Sequence, residues 1–479
     1  MNQADQTATD ASAAPTGVEP HSEPGEIAAK VEAARRAFAS GRTATMEWRR
    51  DQLDAIIRML NECAGEIEKA VADDLGKCAF EGYFMEVGGT VREAVNARKN
   101  LRRWTKDKRV NSLFTAGPSA SHVRREPLGT VLIIAPWNYP FRLLLMPLIG
   151  AVAAGNSVVL KPSELAPASS ALMADLARRY LDPEAIQVIE GGVPETTELL
   201  THRFDHILYT GNAAVGRIVM SAAAKHLTPV TLELGGKSPV WVDETWPMED
   251  AAAAIAWGRF VNAGQTCVAA DYVLTTPALA EPLADAIAAA TEKMYGPDPA
   301  SNPEYGRIVN ERHTKRLAEL LDSGRVVTGG TYDVEARYVA PTVLVDVDPA
   351  SPAMADEIFG PILPIVAVAD HREAINLIRS REKPLAMYAF TSSPEIRRAF
   401  EHETSSGALV FGGVMVHMTV PQLPFGGVGE SGMGSYNGEQ TVRTFSHERS
   451  VLRKFRGIDL TTLARPPYKA KNLEILKRF

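Results

Sequence analysis

The 479-residue sequence predicts an α/β protein of more than one domain, and three observations carry that prediction. Short apolar runs alternate with helix-length segments from residue 129 to about 234. A second alternation of the same kind follows over 240–409. Ahead of both, between 27 and 109, apolar residues recur at spacings of three and four. Uninterrupted apolar runs suit strands covered on both faces, and strands separated by helices imply a parallel sheet with helices on either side. The chain is long enough for two or three substantial cores.

Taken in order, residues 1–24 are rich in Ala, Thr, Pro, Glu and Ser with little to bury, and read as a disordered tail. V-E-A-A-R-R-A-F and L-D-A-I-I-R-M-L carry the helical period of the next segment. The run R-K-N-L-R-R-W-T-K-D-K-R at 98–109 reads as a solvated helix end rather than a nucleic-acid patch, because the chain as a whole has a formal net charge of −7. G-T-V-L-I-I-A-P (129–136) and S-V-V-L-K-P (157–162) read as buried strands, followed by I-Q-V-I-E-G-G, H-I-L-Y-T-G and V-T-L-E-L-G-G. The helices between them include L-L-L-M-P-L-I-G-A-V-A-A-G, A-L-M-A-D-L-A-R-R and residues 213–225. The second unit contains D-A-A-A-A-I-A-W-G-R-F and A-P-T-V-L-V-D-V. The polar tail from about 429 is expected to pack on a partner or on another domain.

Composition is that of an ordinary globular protein, 45% apolar and 23% charged. Three cysteines, Cys63, Cys78 and Cys267, are too few and odd in number for a disulfide framework, which points to a reducing compartment. No C-x-x-C or His/Cys cluster suggests a metal site. The N-terminus lacks the basic and apolar regions of a signal peptide, and the longest apolar stretches fall short of a membrane span. A cytoplasmic protein without a membrane anchor is expected.

In parallel α/β sheets ligands bind beyond the carboxyl ends of strands, so the residues after each strand are the candidates. L-Y-T-G-N-A-A-V-G-R places Gly211 and Gly216 on a strand-to-helix turn, where close backbone approach and free helix N–H groups suit a pyrophosphate. The pattern is neither G-x-G-x-x-G nor a P-loop, and by itself a plain turn explains it equally well. Lys161 and Glu164 in V-V-L-K-P-S-E suit ribose hydroxyls, or are surface charges. Asn138 in A-P-W-N-Y-P offers an amide for an oxyanion, or forms a turn. Glu233 interrupts an apolar strand, and a buried carboxylate needs either an ion-pair partner or a raised pKa that would make it a base. Cys267 in V-N-A-G-Q-T-C-V-A-A-D-Y has the small neighbours a reactive thiol wants for access, whereas a lone cysteine is more often inert. E-I-F-G-P (357–361) and P-F-G-G-V-G-E-S-G-M-G (424–434) carry no chemistry assignable from residue types.

Taken in chain order, P-W-N-Y-P, V-V-L-K-P-S-E, T-G-N-A-A-V-G, L-E-L-G-G-K, G-Q-T-C, E-I-F-G-P and P-F-G-G-V-G-E-S-G-M-G together resemble the aldehyde dehydrogenase superfamily over residues 27 to the end. The forms T-G-N-A-A-V-G, G-Q-T-C-V-A-A-D-Y and S-G-M-G-S-Y-N-G resemble its class 3 branch of fatty, aromatic and coniferyl aldehyde enzymes. The resemblance implies an aldehyde dehydrogenase-like α/β fold. Its Rossmann-type dinucleotide-binding domain spans 25–107 and 125–234, and a second α/β catalytic domain spans 235–428. Small oligomerisation segments lie at 108–124 and 429–479, the first of them a possible hairpin toward a partner. It implies NAD or NADP as cofactor, an aldehyde as substrate and a homodimer. Cys267 then matches the nucleophile, Asn138 the oxyanion amide and Glu233 the general base. Lys161 and Glu164 match the ribose-binding pair, and Gly211, Val215, Gly216 and Leu234 stand with the cofactor-binding residues. Glu357 matches the residue on the nicotinamide ribose, with Phe359 near the nicotinamide ring. The presence of Glu233 favours release of a free acid over transfer to coenzyme A.

One segment departs from that pattern. Where relatives commonly read G-G-V-x-x-N-D before the P-F-G-G motif, this chain reads F-G-G-V-M-V-H-M-T-V-P-Q-L-P-F-G-G, a shorter segment without the Asn-Asp pair and with His417 in it. A catalytically silent cofactor-binding member is the alternative this departure supports. A cysteine hydrolase without redox chemistry is a second alternative, but no Cys–His pairing is suggested locally. Trp137, Tyr139 and Tyr272 suggest an aromatic funnel for medium-chain or aromatic aldehydes, or packing.

Overall fold

The computed structural model describes residues 25–111, 119–455 and 460–477. The expected disordered tail at 1–24 lies outside the described residues, as do residues 112–118 of the expected hairpin. The chain starts with helices α1 (Glu26–Ala39), α2 (Met46–Glu62), α3 (Ala64–Leu75), α4 (Ala79–Gly82) and α5 (Gly89–Thr105). Thr45 starts α2 by accepting from the Trp48 N–H, and left-handed Gly76 ends α3. A π-helical stretch, Tyr83–Gly88, joins α4 to α5. At the end of α5, Trp104 is buried while Arg102 and Arg103 face solvent, so the basic run is a solvated helix end around one core tryptophan.

The next strands are β1 (Lys108–Val110), β2 (Ser119–Pro127) and β3 (Thr130–Ile134). Then come α6 (Arg142–Ala154), β4 (Ser157–Lys161), α7 (Pro167–Tyr180), β5 (Ile186–Val188), α8 (Val193–Leu199), β6 (His206–Thr210), α9 (Ala213–Ala224) and β7 (Val230–Glu233). Every residue of β3, β4 and β6 is buried, as their unbroken apolar runs require. The chain steps outward from β3 to β4 and β5, then returns to place β6 and β7 on the other side of β3. The direction of winding therefore reverses between β3 and β6. A crevice opens there beyond the carboxyl ends of the strands.

The second unit contains β8 (Pro239–Val242), α10 (Met248–Phe260), β9 (Tyr272–Thr275), α11 (Pro277–Tyr295), β10 (Arg325–Thr328) and the small pair β11 (Tyr332–Asp333) and β12 (Tyr338–Val339). It continues with β13 (Thr342–Val345), β14 (Ile362–Ala367), β15 (Ala386–Phe390) and β16 (Ala408–Phe411). Its seven-stranded sheet has the order β10-β13-β14-β9-β8-β15-β16, parallel except for β10 at the edge. The chain passes directly from the end of β7 at Glu233 into the start of β8 at Pro239. The carboxyl edge of the first sheet therefore meets the amino edge of the second. Cys267 precedes β9 and Glu357 precedes β14, so both stand on that amino edge.

Two strands close the molecule. β17 (Gly432–Met433) adds antiparallel to β7, and β18 (Ser446–Lys454) pairs with β2 along its whole length, from Ser446 opposite Pro127 to Lys454 opposite Ser119. The three-stranded sheet β1-β2-β18 thus takes residues 125–127, expected in the dinucleotide-binding unit, because the β2–β18 ladder runs unbroken through 124. Conversely, part of the expected bridging segment 429–479 belongs to the first sheet as β17. Among the described residues no helix is long and apolar enough to cross a membrane.

Candidate active site

The loop before Cys267 is built from unusual backbone. Asn262 (φ 54°), Ala263 (φ 49°) and Gly264 (φ 74°) are consecutive left-handed residues. For a non-glycine residue this costs on the order of 1–3 kcal/mol and persists only where surroundings impose it. Here they do. The Asn262 Nδ2 donates to the carbonyls of Asn138 (3.0 Å) and Gln265 (3.1 Å). Buried Gln265 donates to the Asn262 (3.0 Å) and Arg307 (2.9 Å) carbonyls and accepts from the Val309 N–H (2.9 Å). A side chain at Gly264 would put its Cβ 2.2 Å from the Gly360 carbonyl oxygen. The E-I-F-G-P loop therefore packs directly against the Cys267 loop. Cys267 itself is half-buried, with one side open to a cavity.

Asn138 is buried just past β3, where its Nδ2 donates to the Gln265 carbonyl at 2.9 Å. An amide nitrogen has two hydrogens, so one remains. Its own carbonyl accepts from Lys77 Nζ at 2.8 Å. Lys77 is fully buried, paired with Glu86 at 2.8 Å, and lies 4.1 Å from the centre of the Tyr139 ring. Glu86 spends its other oxygen on the Arg142 N–H (2.9 Å), and the Tyr139 hydroxyl meets Thr266 Oγ1 at 2.6 Å. Lys77 and Glu86 were not anticipated. In D-L-G-K-C a lysine after a helix-ending glycine has the pattern of a surface charge.

The acids around the thiol are buried. Glu233, at the end of β7, has no hydrogen-bond partner on either carboxylate oxygen among the described residues, and burial holds its carboxyl well above the usual range. Burial also raises Glu357, with Asp271 adding to the rise and Arg259 and Lys237 opposing it. The Cys267 thiol is pushed up to about 12, first by burial and then by the Glu357 and Glu233 carboxylates, while the Cys267 and Val268 N–H groups pull it down. The protein's own groups therefore do not favour the thiolate.

Beyond β4, Lys161 is buried and donates to the Pro162 carbonyl at 2.7 Å, with the exposed Glu164 carboxylate 3.9 Å away. Burial lowers its pKa, opposed by Glu164, Glu195 and Glu190. At the turn into α9, Asn212 caps the N–H of half-buried Val215 at 2.9 Å. A Cβ at Gly211 would lie 2.2 Å from the Tyr209 hydroxyl, and one at Gly216 would lie 2.9 Å from Leu234 Cδ2. A larger residue at either position would have to displace a side chain, at Gly216 that of Leu234, on which α9 rests. A Cβ at Gly235 would lie 1.9 Å from Glu357 Oε2, so that carboxylate sits on the glycine backbone. Phe359, also left-handed (φ 49°), meets Trp137 edge-on at 5.4 Å. A cleft with glycine walls, a buried lysine and unpartnered Glu233 oxygens fits a dinucleotide laid across the switch point.

The cavity at Cys267 holds about 190 Å³, and Tyr139, Trp257, Met415, Phe425 and Tyr436 contribute to its wall. Of the three aromatics expected in a funnel, only Tyr139 lines it. Trp137 packs on Phe359 and His313 instead. Tyr272 is buried within β9 with Lys237 Nζ 5.6 Å from its ring, because the strand's alternation turns it into the second core. In the segment before Pro424, a short 3₁₀ turn (Val416–Thr419) presents Val416 and Met418 to the cavity. His417 lies stacked on Phe425 with neither ring nitrogen partnered among the described residues, and burial pushes it down to about 4. It supplies no polar contact in place of the Asn-Asp pair. P-F-G-G-V-G-E-S-G-M-G acquires a role: Gly432 pairs with Glu233 across β17 and β7, and Leu234 N–H donates to the Ser431 carbonyl, so this loop fixes the strand that carries Glu233.

Residues 7–451 match the model described as the aldehyde dehydrogenase family, and the chain belongs to that family. It falls in the class 3-like branch. It is 50% identical over 428 residues to the dimeric NADP-preferring aldehyde dehydrogenase of Rattus norvegicus, covering 89% of this chain and 94% of that protein. Identity to aldehyde dehydrogenase family 3 member B1 of Homo sapiens is 48% over 443 residues, covering 92% and 95%. The fold is similar to that of Staphylococcus aureus AldH in a substrate-bound state, with TM-score 0.92 and 41% identity over 95% of this chain and 99% of that one.

Removing Lys77 leaves Glu86 charged and unpaired in the core. Lys77→Met should destabilise the protein by about 3–5 kcal/mol, and Lys77→Met with Glu86→Leu should recover much of the loss. Denaturant unfolding of the three proteins measures this. Equal stability of the single variant and the parent would show that the pair clamps nothing.

Proposed function

We propose that the protein oxidises a medium-chain aliphatic or aromatic aldehyde to the carboxylic acid with NAD or NADP. The observation that carries this reading is the placing of Cys267 at an apolar cavity, two residues beyond the Gln265 carbonyl that the Asn138 amide holds, and within electrostatic reach of the Glu233 carboxylate, which has no hydrogen-bond partner among the described residues.

The chemistry follows from the groups present. Cys267 gives up its thiol proton to solvent and adds as the thiolate to the aldehyde carbon, and the oxygen gains negative charge against the spare Asn138 N–H and the Cys267 backbone N–H. A bound nicotinamide supplies the hydride acceptor and a positive charge beside the thiol. Loss of hydride from the same carbon leaves a thioester on Cys267, splitting one hard oxidation into two easier steps. Glu233, its proton affinity raised by burial, takes a proton from water as the water attacks that thioester. The acid departs and the thiol is restored. Lys161 and Glu164 would hold the adenosine ribose, Gly211, Val215, Gly216 and Leu234 would shape the pyrophosphate turn, and Glu357 and Phe359 would serve the nicotinamide end. Glu164 disfavours a 2′-phosphate while Lys161 attracts it, which is compatible with both cofactors. Nothing in the site favours the silent reading.

The rat relative is named dimeric, and among the described residues β18 is the outer strand of the β1-β2-β18 sheet, with Leu452 exposed. We assign this sheet to self-association. Sedimentation should show a dimer that Leu452→Arg weakens. A monomer in the parent protein would remove the assignment.

Turnover is tested with hexanal, benzaldehyde and coniferyl aldehyde, each with NAD and with NADP, following the reduced cofactor. Asn138→Ala should lower kcat by about 10²–10³, the usual loss of one oxyanion donor, and Cys267→Ala should abolish it. No turnover with any pair would reject the reading for these substrates. The raised thiol has a separate consequence. In protein lacking Cys63 and Cys78, and without cofactor, alkylation of Cys267 should be slow at neutral pH and rise about tenfold per pH unit, because only the thiolate reacts. A plateau in the ordinary cysteine range would show an unperturbed thiol.

A further inference from the structure

We infer that the cavity at Cys267 selects an aldehyde bearing a carboxylate at the end remote from the carbonyl, with Arg142 as the residue that recognises it and Arg92 assisting. The inference rests on the proposed function and deepens it by naming the substrate class.

The residues that line the cavity are apolar or hydroxyl-bearing but for Cys267, Asn437 and two arginines, Arg92 and Arg142, and no Asp or Glu is among them. Neither arginine has an ion pair among the described residues. The Arg142 side chain has one hydrogen bond, to the Met85 carbonyl at 3.5 Å, the outer limit for such a bond. A guanidinium has five N–H donors, so most of those on Arg142 are unspent.

The space for this group is built. A Cβ at Gly89 would lie 2.7 Å from Arg142 Nη1, so any larger residue there would displace the guanidinium. Gly89 and Gly88 sit within a continuous helical path from the π-helical stretch into α5, where glycine costs roughly 0.5–1 kcal/mol against alanine. Arg142 is itself the first residue of α6, whose remaining residues are all buried. A cation there opposes the helix dipole by about 0.3–1 kcal/mol. Two local preferences are thus set aside at one point on the cavity wall, the pattern expected of a functional position.

The neighbouring acids do not use up the charge. Glu86 is committed to Lys77 and to the Arg142 backbone N–H. Glu93 lies within electrostatic reach of Arg142, but it accepts from Asn96 and the Gly438 N–H, and burial pushes its carboxyl up to about 7. A carboxylate entering the cavity meets a half-buried, planar donor fork suited to two parallel hydrogen bonds.

The experiment compares short, medium and long ω-oxo carboxylates with n-alkanals of the same lengths, in the parent enzyme and in Arg142→Met and Arg142→Lys. At the best length the oxo acid should exceed its alkanal in kcat/KM by about 10- to 100-fold, the range of a hydrogen bond to a charged group. Arg142→Met should remove that advantage, bringing the oxo acid down to the kcat/KM of its alkanal in the same variant, while Arg142→Lys should keep part of it. In the parent enzyme alone, a dicarboxylate should inhibit more strongly than the monocarboxylate of equal length, a readout that stands even if a variant fails to fold. Turnover of alkanals with no advantage for oxo acids at any length would overturn the inference and leave the proposed function intact. So would an Arg142→Met variant that loses both series equally. Absence of turnover with every aldehyde would overturn both.

Discussion

Two loops from different sheets exchange amide hydrogen bonds at the centre of this molecule. Asn138 donates to the Gln265 carbonyl, and Asn262 donates back to the Asn138 carbonyl. The buried Lys77 ammonium closes the knot from a third direction, through the same Asn138 oxygen. Left-handed backbone at Asn262 and Ala263 is affordable only inside this knot. Without it the carboxyl edge of the first sheet and the amino edge of the second have no common reference, and neither Asn138 nor Cys267 has a defined position. Gln265 is the strut that carries the strain, which gives the amide of G-Q-T-C a structural purpose distinct from that of the cysteine two residues on.

The electrostatics of the crevice are one-sided. Burial and two neighbouring carboxylates raise the Cys267 thiol, opposed by the Cys267 and Val268 N–H groups. Glu233 has two oxygens with no hydrogen-bond partner among the described residues, an arrangement that is costly in a folded core unless something arriving later uses them. The chain has thus been built with a site whose charge balance is completed from outside. That is consistent with a thiol quiet in the free protein and active in the loaded one.

The cavity beyond the sulfur is assembled from distant parts of the chain: the helical start, the loop after β3, the turn at Val416–Thr419 and the segment around Tyr436. The glycine-rich loop 424–434 belongs to the same construction. It carries no reacting group. Its β17 strand backs β7, and so it fixes Glu233 from behind. Its tight turns need glycine because backbone faces backbone: a Cβ at Gly427 would lie 2.0 Å from the Ser431 carbonyl oxygen.

Local chemistry alone determined much of this protein. The buried strands β3, β4 and β6 were legible because a strand covered on both faces must be apolar at every position. The residues after them could be singled out as candidates because parallel sheets bind ligands at their carboxyl ends. Cys267 stood out by its small neighbours, Glu233 by its place in an apolar strand, and the order of seven motifs named the family. Tertiary structure alone decided the rest. Lys77 reads as a surface charge until Glu86 and the Asn138 carbonyl converge on it from other elements. Tyr272 reads as a funnel aromatic until strand alternation turns it into the core. The exchange of residues 125–127 and 432–433 between sheets depends on ladders joining segments hundreds of residues apart. Arg142 acquires meaning only from the void at Gly89 and the missing counter-charge around it. Sequence reports what each residue prefers among its neighbours in the chain, whereas burial, charge pairing and register are properties of neighbours in space.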